Sequence, residues 1–416
     1  MIQALTGGLL IDGTGRDPIE NASVIIDEHG RIQDVGQIDS FPKGVVVTNV
    51  GGRTIMPGLI DCHVHFFVDL LPLHELAMMP PSYRVLQAAR NAVATLDAGV
   101  TSIRETSGTP LGFKMAAEQG LIPAPRMKIS IAPLSQTGGH GDFLLPSGLE
   151  HPLLPSGNLV EWPNVVCDGV PEVQKAARSV LRAGADFIKI MSSGGVLSPS
   201  DEPTHTQFTK EEIATIVYEA KAQGKFVASH AQATEGIRNA VECGVESIEH
   251  GIYLDESVID LMKERGTFLV PTLQAPHGGI RRGEESPGSV LPQSMRKARE
   301  VIDDHRNSIS MAIEAGVKVA MGTDAGVDHH GNNAEELRLL VDAGMTPMQA
   351  LVAATKTSSE CAHMDNLVGT LQPGKFADLL VVDGNPLDDV STLEDKSKLL
   401  MILQGGRAQK DILSAT

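Results

Sequence analysis

Two histidines stand two residues apart at the end of an apolar run, Leu59-Ile60-Asp61-Cys62-His63-Val64-His65. Side chains at i and i+2 of a strand face the same way. His63 and His65 would therefore offer two imidazoles from one face, a beginning for a divalent metal site. Other apolar runs close on groups of the same kind. Lys189 lies in Asp186-Phe187-Ile188-Lys189-Ile190-Met191, His230 closes the run from Phe226, His250 closes the run from Glu246, and Asp324 closes Met321-Gly322-Thr323. Taken singly, each has an ordinary reading. A lone histidine is usually a satisfied core residue, a strand-end lysine can snorkel, and an aspartate can cap a turn. A lysine in so apolar a run is nonetheless costly unless it is neutralised, modified or paired. Independent accidents would seldom place such groups at the ends of successive runs, so the joint pattern predicts a metal site.

The elements that must hold these groups alternate in type. Strand-like runs at Leu59–His65, Val100–Glu105, Arg126–Ile131, Asp186–Ile190, Phe226–His230, Glu246–His250, Thr267–Thr272 and Val317–Asp324 are separated by helical stretches, clearest at Lys210–Gln223 and Ser294–Ala315. Ala98-Gly99, Ala183-Gly184, Cys243-Gly244 and Ala315-Gly316 read as helix ends, because glycine just past a helix caps it. Such β–α units over roughly 300 residues fit an α/β fold, a (β/α)8 TIM barrel, whose functional groups stand at the C-terminal strand ends. A doubly wound open sheet is the alternative, weakened because no phosphate-binding glycine fingerprint follows the first barrel strand. The chain ends differ from the middle. Ala22–Ile26 and Arg31–Val35 flank a turn as a hairpin would, and Ala377–Val382 and Leu399–Gln404 are β-like runs closed by turn residues. Neither end alone could bury a core. The expectation is a small β-sandwich domain built from 1–57 and 367–416, with the barrel at 58–366.

Composition narrows the partners. The chain has 416 residues, 34 Lys+Arg and 52 Asp+Glu, a formal net charge of −18. That balance argues against nucleic acid and against an anionic membrane surface, which need clustered cations. Aromatics at 3% leave little for a stacking surface, while hydrophobics at 42% suffice for a core. Cys62, Cys167, Cys243 and Cys361 are far apart and suggest free thiols rather than a disulfide framework or a Cys zinc site. No basic leader opens the chain and no run approaches the roughly 18 apolar residues of a membrane span. The expected setting is cytoplasmic and the expected partner a small molecule.

The motifs together resemble the amidohydrolase superfamily, in its imidazolonepropionase-like branch with dipeptidases, carboxypeptidases, ochratoxinase and phenylurea hydrolases. Thr54-Ile55-Met56-Pro57-Gly58-Leu59-Ile60-Asp61-Cys62-His63-Val64-His65 carries the resemblance, with Ser135-Gln136-Thr137-Gly138-Gly139-His140, Ile188-Lys189-Ile190-Met191-Ser192-Ser193-Gly194-Gly195-Val196, Ile248-Glu249-His250-Gly251 and Gly322-Thr323-Asp324. Gly369-Thr370-Leu371-Gln372-Pro373-Gly374-Lys375-Phe376-Ala377-Asp378-Leu379 resembles the family's return into its β domain. The resemblance spans essentially the whole chain. It implies two divalent metal ions, expected to be zinc. His63, His65 and Asp324 would hold one, His230 and His250 the other, and an N-carboxylated Lys189 would bridge them. Carboxylation turns a buried cation into an anion, which suits the cost noted above.

The implied reaction is hydrolysis of an amide C–N bond, with a metal-bridging hydroxide as nucleophile and Asp324 as general base and acid. His140 would contact the carbonyl oxygen or a substrate carboxylate, and Gln232 and His330 would contact substrate. Release of a C-terminal amino acid from a dipeptide or N-acyl amino acid is the first expectation. Cleavage of a non-peptide aryl amide, urea or carbamate is the alternative, with Phe66-Phe67-Val68 and Leu70-Leu71 as a possible pocket wall. In peptidase relatives the residue two after the fifth-strand histidine is often tyrosine. Here it is Gln232, a departure that weakens a standard dipeptidase specificity. Arg281 and Arg282, in the stretch 275–292, could meet a free carboxylate or lie in a solvated loop, and His329-His330 could line the mouth or the surface. A non-catalytic scaffold is disfavoured because every ligand position is filled, and a mononuclear deaminase because such relatives generally lack a bridging lysine. Analogy with relatives also suggests a homo-oligomer.

Overall fold

The computed structural model describes residues 2–145, 147–153 and 161–413. Leu59–Val64, Val100–Glu105 and Arg126–Ile129 form one parallel sheet in that order, and Ile188–Met191, Val227–Ala231, Ser247–His250 and Phe268–Val270 form a second. Helices alternate with these strands, so both faces are covered and the strands read as continuous apolar runs. Backbone hydrogen bonds join the two sheets at both ends. On one side Leu134 N donates to Lys189 O at 2.9 Å and Met191 N to Leu134 O at 3.0 Å. On the other, Leu269 N donates to Lys318 O at 2.8 Å and Cys62 N to Met321 O at 2.8 Å. The parallel segments thus follow one another in sequence order, the order of a (β/α)8 barrel.

The eighth segment departs from expectation. It makes backbone bonds to both neighbours but only isolated bridges, at Val319 and Ala325, rather than a regular strand. Its end is conformationally set: Asp324 has φ 61°, left-handed backbone outside the β region, and cannot continue a regular ladder there. Thr272, φ 53°, likewise ends the seventh strand before its expected boundary. The stretch 275–292, read from its Gly and Pro as irregular, is mostly a helix, Gln274–Glu285.

Local chemistry explains the helix boundaries. Thr209 and Glu212 form a reciprocal capping box at the start of Lys210–Lys221. Helix Pro292–Ala315 starts with proline in its first turn and ends at Gly316, whose φ of 82° closes the helix where a side chain would be strained. No helix among the described residues is long and apolar enough to cross a membrane.

Both chain ends contribute to one eight-stranded sheet. Its order runs Arg407–Asp411, Leu399–Gln404, Leu379–Val382, Thr54–Pro57, Gln3–Leu10, Ile19–Ile26, Ile32–Gly36, with Val46–Asn49 beside Gln3–Leu10. Leu379–Val382 pairs antiparallel with Thr54–Pro57, so residues more than three hundred apart share a ladder. Leu5, Val24, Ile26, Ile55, Val381 and Leu403 form its separate core. The pairing is continuous and does not resolve the two stacked layers that a sandwich requires.

Asp61 ties the weak eighth segment to the first strand. Its buried carboxylate accepts from His63 N at 3.0 Å, Thr323 N at 3.1 Å, Thr323 Oγ1 at 2.6 Å and Asn333 Nδ2 at 2.8 Å. Burial pushes its pKa up to about 6, and these donors counter that rise. Asp61→Ala would leave buried donors unpaired. Urea unfolding should show a loss of about 3 kcal/mol, against less than ~0.5 kcal/mol for an exposed carboxylate such as Asp17→Ala.

Candidate metal centre

Folding brings together groups that the sequence spreads over most of its length. Ligand atoms of His63, His65 and Asp324 all lie within 4.8 Å of one another. Asp324 Oδ1 is 3.0 Å from His65 Nε2 and 3.5 Å from His63 Nε2. The His250 ring lies 5.1 Å from that of His63 and 4.6 Å from that of His230. His63, His65, His140, Lys189, His230, His250 and Asp324 all line one cavity of about 530 Å³. His250, φ 73°, and Asp324, φ 61°, both hold left-handed backbone that is unfavourable for their residue types. Such conformations persist where surrounding structure over-determines them, and they turn both side chains out of the strand direction.

Each imidazole is fixed through its second nitrogen. His63 Nδ1 donates to Glu249 Oε2 at 2.8 Å, which leaves Nε2 as a lone-pair donor toward Asp324. His230 Nε2 donates to the Gly194 carbonyl at 3.0 Å, which leaves Nδ1. His65 Nδ1 meets Ser107 Oγ at 2.8 Å, and His250 Nδ1 meets Thr272 Oγ1 at 2.7 Å. Such partners orient metal-binding histidines. Burial, with Lys189 adding to it, lowers the pKa of His63 to about 4, so the imidazole is neutral and free to ligate. Burial also drives His230 and His250 well below the usual histidine range. Burial opposes ionisation of Asp324, but His63, His65 and Lys189 outweigh it and hold the carboxyl below its ordinary value.

Lys189 is 1% exposed. Its Nζ has no hydrogen-bond or ion-pair partner among the described residues, and burial lowers its pKa to about 8. An unpaired ammonium in this position is the costly arrangement that its sequence context foretold.

Sequence reasoning missed the pair beneath the site. Glu249 Oε1 accepts from Arg104 Nη2 at 2.6 Å and from Ser247 Oγ at 2.7 Å, and both charged side chains are fully buried. Burial opposes ionisation of Glu249 too, yet Arg104 and His63 hold its pKa below the usual carboxylate range. The available signal was an oppositely charged residue inside each of two apolar strands, Val100–Glu105 and Ser247–His250.

His140 stacks on His230 with ring centroids 4.1 Å apart. Its Nδ1 lies 2.9 Å from Ser198 Oγ, which also bonds the Asp201 carboxylate and the Gly195 carbonyl. Both other neighbours of Ser198 are pure acceptors, so the single hydroxyl proton goes to one of them and His140 Nδ1 must donate. Nε2 is then the acceptor, and in this tautomer it would take a substrate N–H rather than donate to a carbonyl oxygen. Lys297, from the 292–315 helix, donates to the carbonyls of Gly195, Ser198 and Asp201 at 2.7, 2.8 and 2.9 Å and clamps the loop that carries this arrangement. Burial, then the charge of Lys297, lowers the His140 pKa to about 3.

The remaining sequence candidates divide. Gln232 lines a second lobe of the cavity. His330 lies beside Phe66, at 5.6 Å between rings, and near Thr95 Oγ1 at 3.3 Å, and lines neither lobe. Arg282 is held by Asp69, the Leu70 carbonyl and His329, while Arg281 pairs with Glu335 at 3.0 Å and Asp328 at 3.4 Å. Neither guanidinium lines the cavity. Phe66 and Phe67 pack on Phe113 in the core, and only Val68 of that run reaches the cavity wall.

Glu249→Gln would weaken the hold on His63 Nδ1. Competition with a chelator should show metal affinity reduced about 10- to 100-fold, the usual cost of losing such a partner; unchanged affinity would mean that Glu249 serves packing alone.

Residues 54–408 match the amidohydrolase family. Ochratoxinase from Aspergillus niger is 35% identical over 427 residues, covering 98% of this chain and 87% of that protein. Imidazolonepropionase from Cutibacterium acnes is 25% identical over 374 residues, covering 87% and 84%. Among solved structures, a prolidase complexed with N-methylphosphonate-L-proline superposes with a TM-score of 0.92 at 36% identity, covering 99% of this chain and 100% of that one. With the barrel order and the convergent His, Lys and Asp side chains, these likenesses have one conclusion: the chain belongs to the amidohydrolase family, in its imidazolonepropionase-like branch.

Proposed function

We propose that the protein is a metal-dependent hydrolase that cleaves an amide C–N bond with two divalent ions, expected to be zinc. The observation that carries this reading is the convergence of neutral buried imidazoles, an ionised carboxylate and an unpaired lysine on one cavity. Nitrogen and oxygen donors of this kind suit zinc. His63, His65 and Asp324 would hold one ion and His230 and His250 the other. Lys189, as its N-carboxylate, would lie between them, and the partnerless Nζ is what makes that modification favourable. Bound ions would supply Lewis acidity and lower the pKa of water.

Asp324 faces both His63 and His65 through Oδ1. Its Oδ2 is then the atom to take the proton of the attacking water and return it to the leaving nitrogen. His140 Nε2 would accept an N–H of the substrate, the scissile one in a secondary amide; an Xaa-Pro bond, whose nitrogen carries no hydrogen, would not make this contact. The apolar walls, Val68, Phe143, Leu153, Met191 and Val327, exclude bulk water from this chemistry.

Similarity to ochratoxinase and to the prolidase supports release of a C-terminal amino acid from a dipeptide or N-acyl amino acid. One observation favours the second reading, an aryl amide, urea or carbamate. Among the described residues that line the cavity, Lys189 is the sole cation, so a free carboxylate has no guanidinium to meet.

Metal analysis should find two ions per chain, and Lys189→Ala should lose at least one. A single firmly bound ion, indifferent to Lys189→Ala, would overturn the binuclear reading. Asp324→Asn should lower kcat by about 10²- to 10⁴-fold with metal retained. A panel of N-acyl amino acids, Xaa-Pro dipeptides and aryl ureas, assayed for released amine, then chooses the substrate. Turnover confined to uncharged substrates would select the second reading.

A further inference from the structure

The 292–315 helix carries buried polar groups along one face, Ser294, Lys297, His305 and Ser308. Each reaches main-chain atoms of the loops that follow the barrel strands. Ser294 Oγ donates to the Leu197 carbonyl at 3.1 Å, beside the carbonyls that Lys297 holds. His305 and Ser308 grip a different place. His305 Nε2 lies 3.1 Å from the His250 carbonyl oxygen and 2.9 Å from the Pro271 carbonyl oxygen. Carbonyls only accept, so Nε2 carries the proton and donates to both. Ser308 Oγ donates to the Gly251 carbonyl at 2.6 Å and accepts from Leu254 N at 3.1 Å.

The gripped backbone is strained. His250 has φ 73°, and Thr272, the residue after Pro271, has φ 53°. Left-handed backbone is unfavourable for both residue types and persists only where surrounding contacts over-determine it. The two strained residues also meet, because Thr272 Oγ1 lies 2.7 Å from His250 Nδ1. One His305 proton therefore ties the main chain of a candidate ligand to the main chain beside the hydroxyl that orients it. Without that proton both carbonyls would be left short of a donor in a buried place, and each segment could relax away from the other.

We propose that His305 is a positioning residue for the metal centre: through the carbonyls of His250 and Pro271 it holds the His250 imidazole toward the cavity, with Ser308 in support. The role needs no contact with substrate or ion. It rests on the metal-dependent reading for what His250 does there, whereas the hold on the backbone is measured without metal.

The test compares variants of the zinc-loaded protein by chelator competition. His305→Phe removes the donor and keeps a ring, His305→Gln keeps an N–H, and Ile309→Ala is a destabilised control in the core of the same helix. His305→Phe should bind one ion about 10- to 100-fold more weakly, with lost turnover restored by excess zinc. His305→Gln should recover most of that affinity, and Ile309→Ala should leave it unchanged. Ser308→Ala, a milder change in the same hold, should weaken the same ion about 2- to 10-fold, and it serves if His305→Phe does not fold. In a His250→Ala background, His305→Phe should bring no further loss, since it acts through that ligand. In the metal-free protein, hydrogen exchange across 249–254 and 271–274 should quicken relative to the rest of the barrel in His305→Phe and not in Ile309→Ala. Affinity unchanged in both His305→Phe and Ser308→Ala, equally reduced in Ile309→Ala, or lowered further in the His250→Ala background would overturn the inference. So would a His305→Gln variant as weak as His305→Phe. A wild type that binds no metal would remove the hydrolase reading; quickened exchange would then leave the hold of His305 on His250 standing, and unchanged exchange would remove that as well.

Discussion

Glu249 is the group on which the centre of this molecule depends. It is fully buried, and it would be prohibitively costly as an isolated charge. Arg104 neutralises it from the second strand, and His63 binds it from the first. Through these contacts it links strands that are distant in the chain, it determines which nitrogen of His63 faces the cavity, and it sets a negative charge beneath the site that attracts the buried Lys189. The barrel tolerates this buried charge because each oxygen has a partner, Arg104 and Ser247 on one and His63 on the other. A half-satisfied version would be worse than an apolar core.

The same rule governs the rest of the site. His63, His230, His250 and His140 are each anchored through one nitrogen to a carboxylate, carbonyl or hydroxyl, which leaves the other directed toward the cavity. Lys297 and Asp201 belong to this pattern although they touch none of the candidate ligands. They immobilise the loop from Gly195 to Asp201, and that loop determines the tautomer of His140. Lys189 stands outside the rule. It lacks a hydrogen-bond or ion-pair partner among the described residues, and burial lowers its pKa to about 8.

Much of the fold was legible because a barrel writes itself locally. Buried parallel strands read as short apolar runs, and glycine after a helix marks its end. Leu399–Gln404 coincides with its expected run, and most barrel strands lie within a residue or two of theirs. The misreadings had particular causes. Asp324 and Thr272 hold left-handed backbone that residue type does not announce, so the seventh and eighth strands are shorter than their apolar runs. Pro276 stands in the first turn of a helix, where proline is tolerated. The Gly and Pro of 275–292 suggested an irregular stretch, in which Arg281 and Arg282 could meet a carboxylate or lie in solvent. Their actual partners, Asp69, Asp328 and Glu335, come from other parts of the chain and leave no local trace.

The sequence by itself determined the scaffold and which polar residues stand at its strand ends, because both follow from periodicity and from the polar residues that interrupt it. It also set the acidic net charge of −18. Only the tertiary structure decided which groups surround those residues. The pairing of Arg104 with Glu249, the clamp of Lys297 on a loop a hundred residues earlier, and the hold of His305 on the His250 and Pro271 carbonyls are all relations between distant segments. No spacing encodes them, since burial and partnership arise only when the chain has folded and each buried polar group has found, or failed to find, its counterpart.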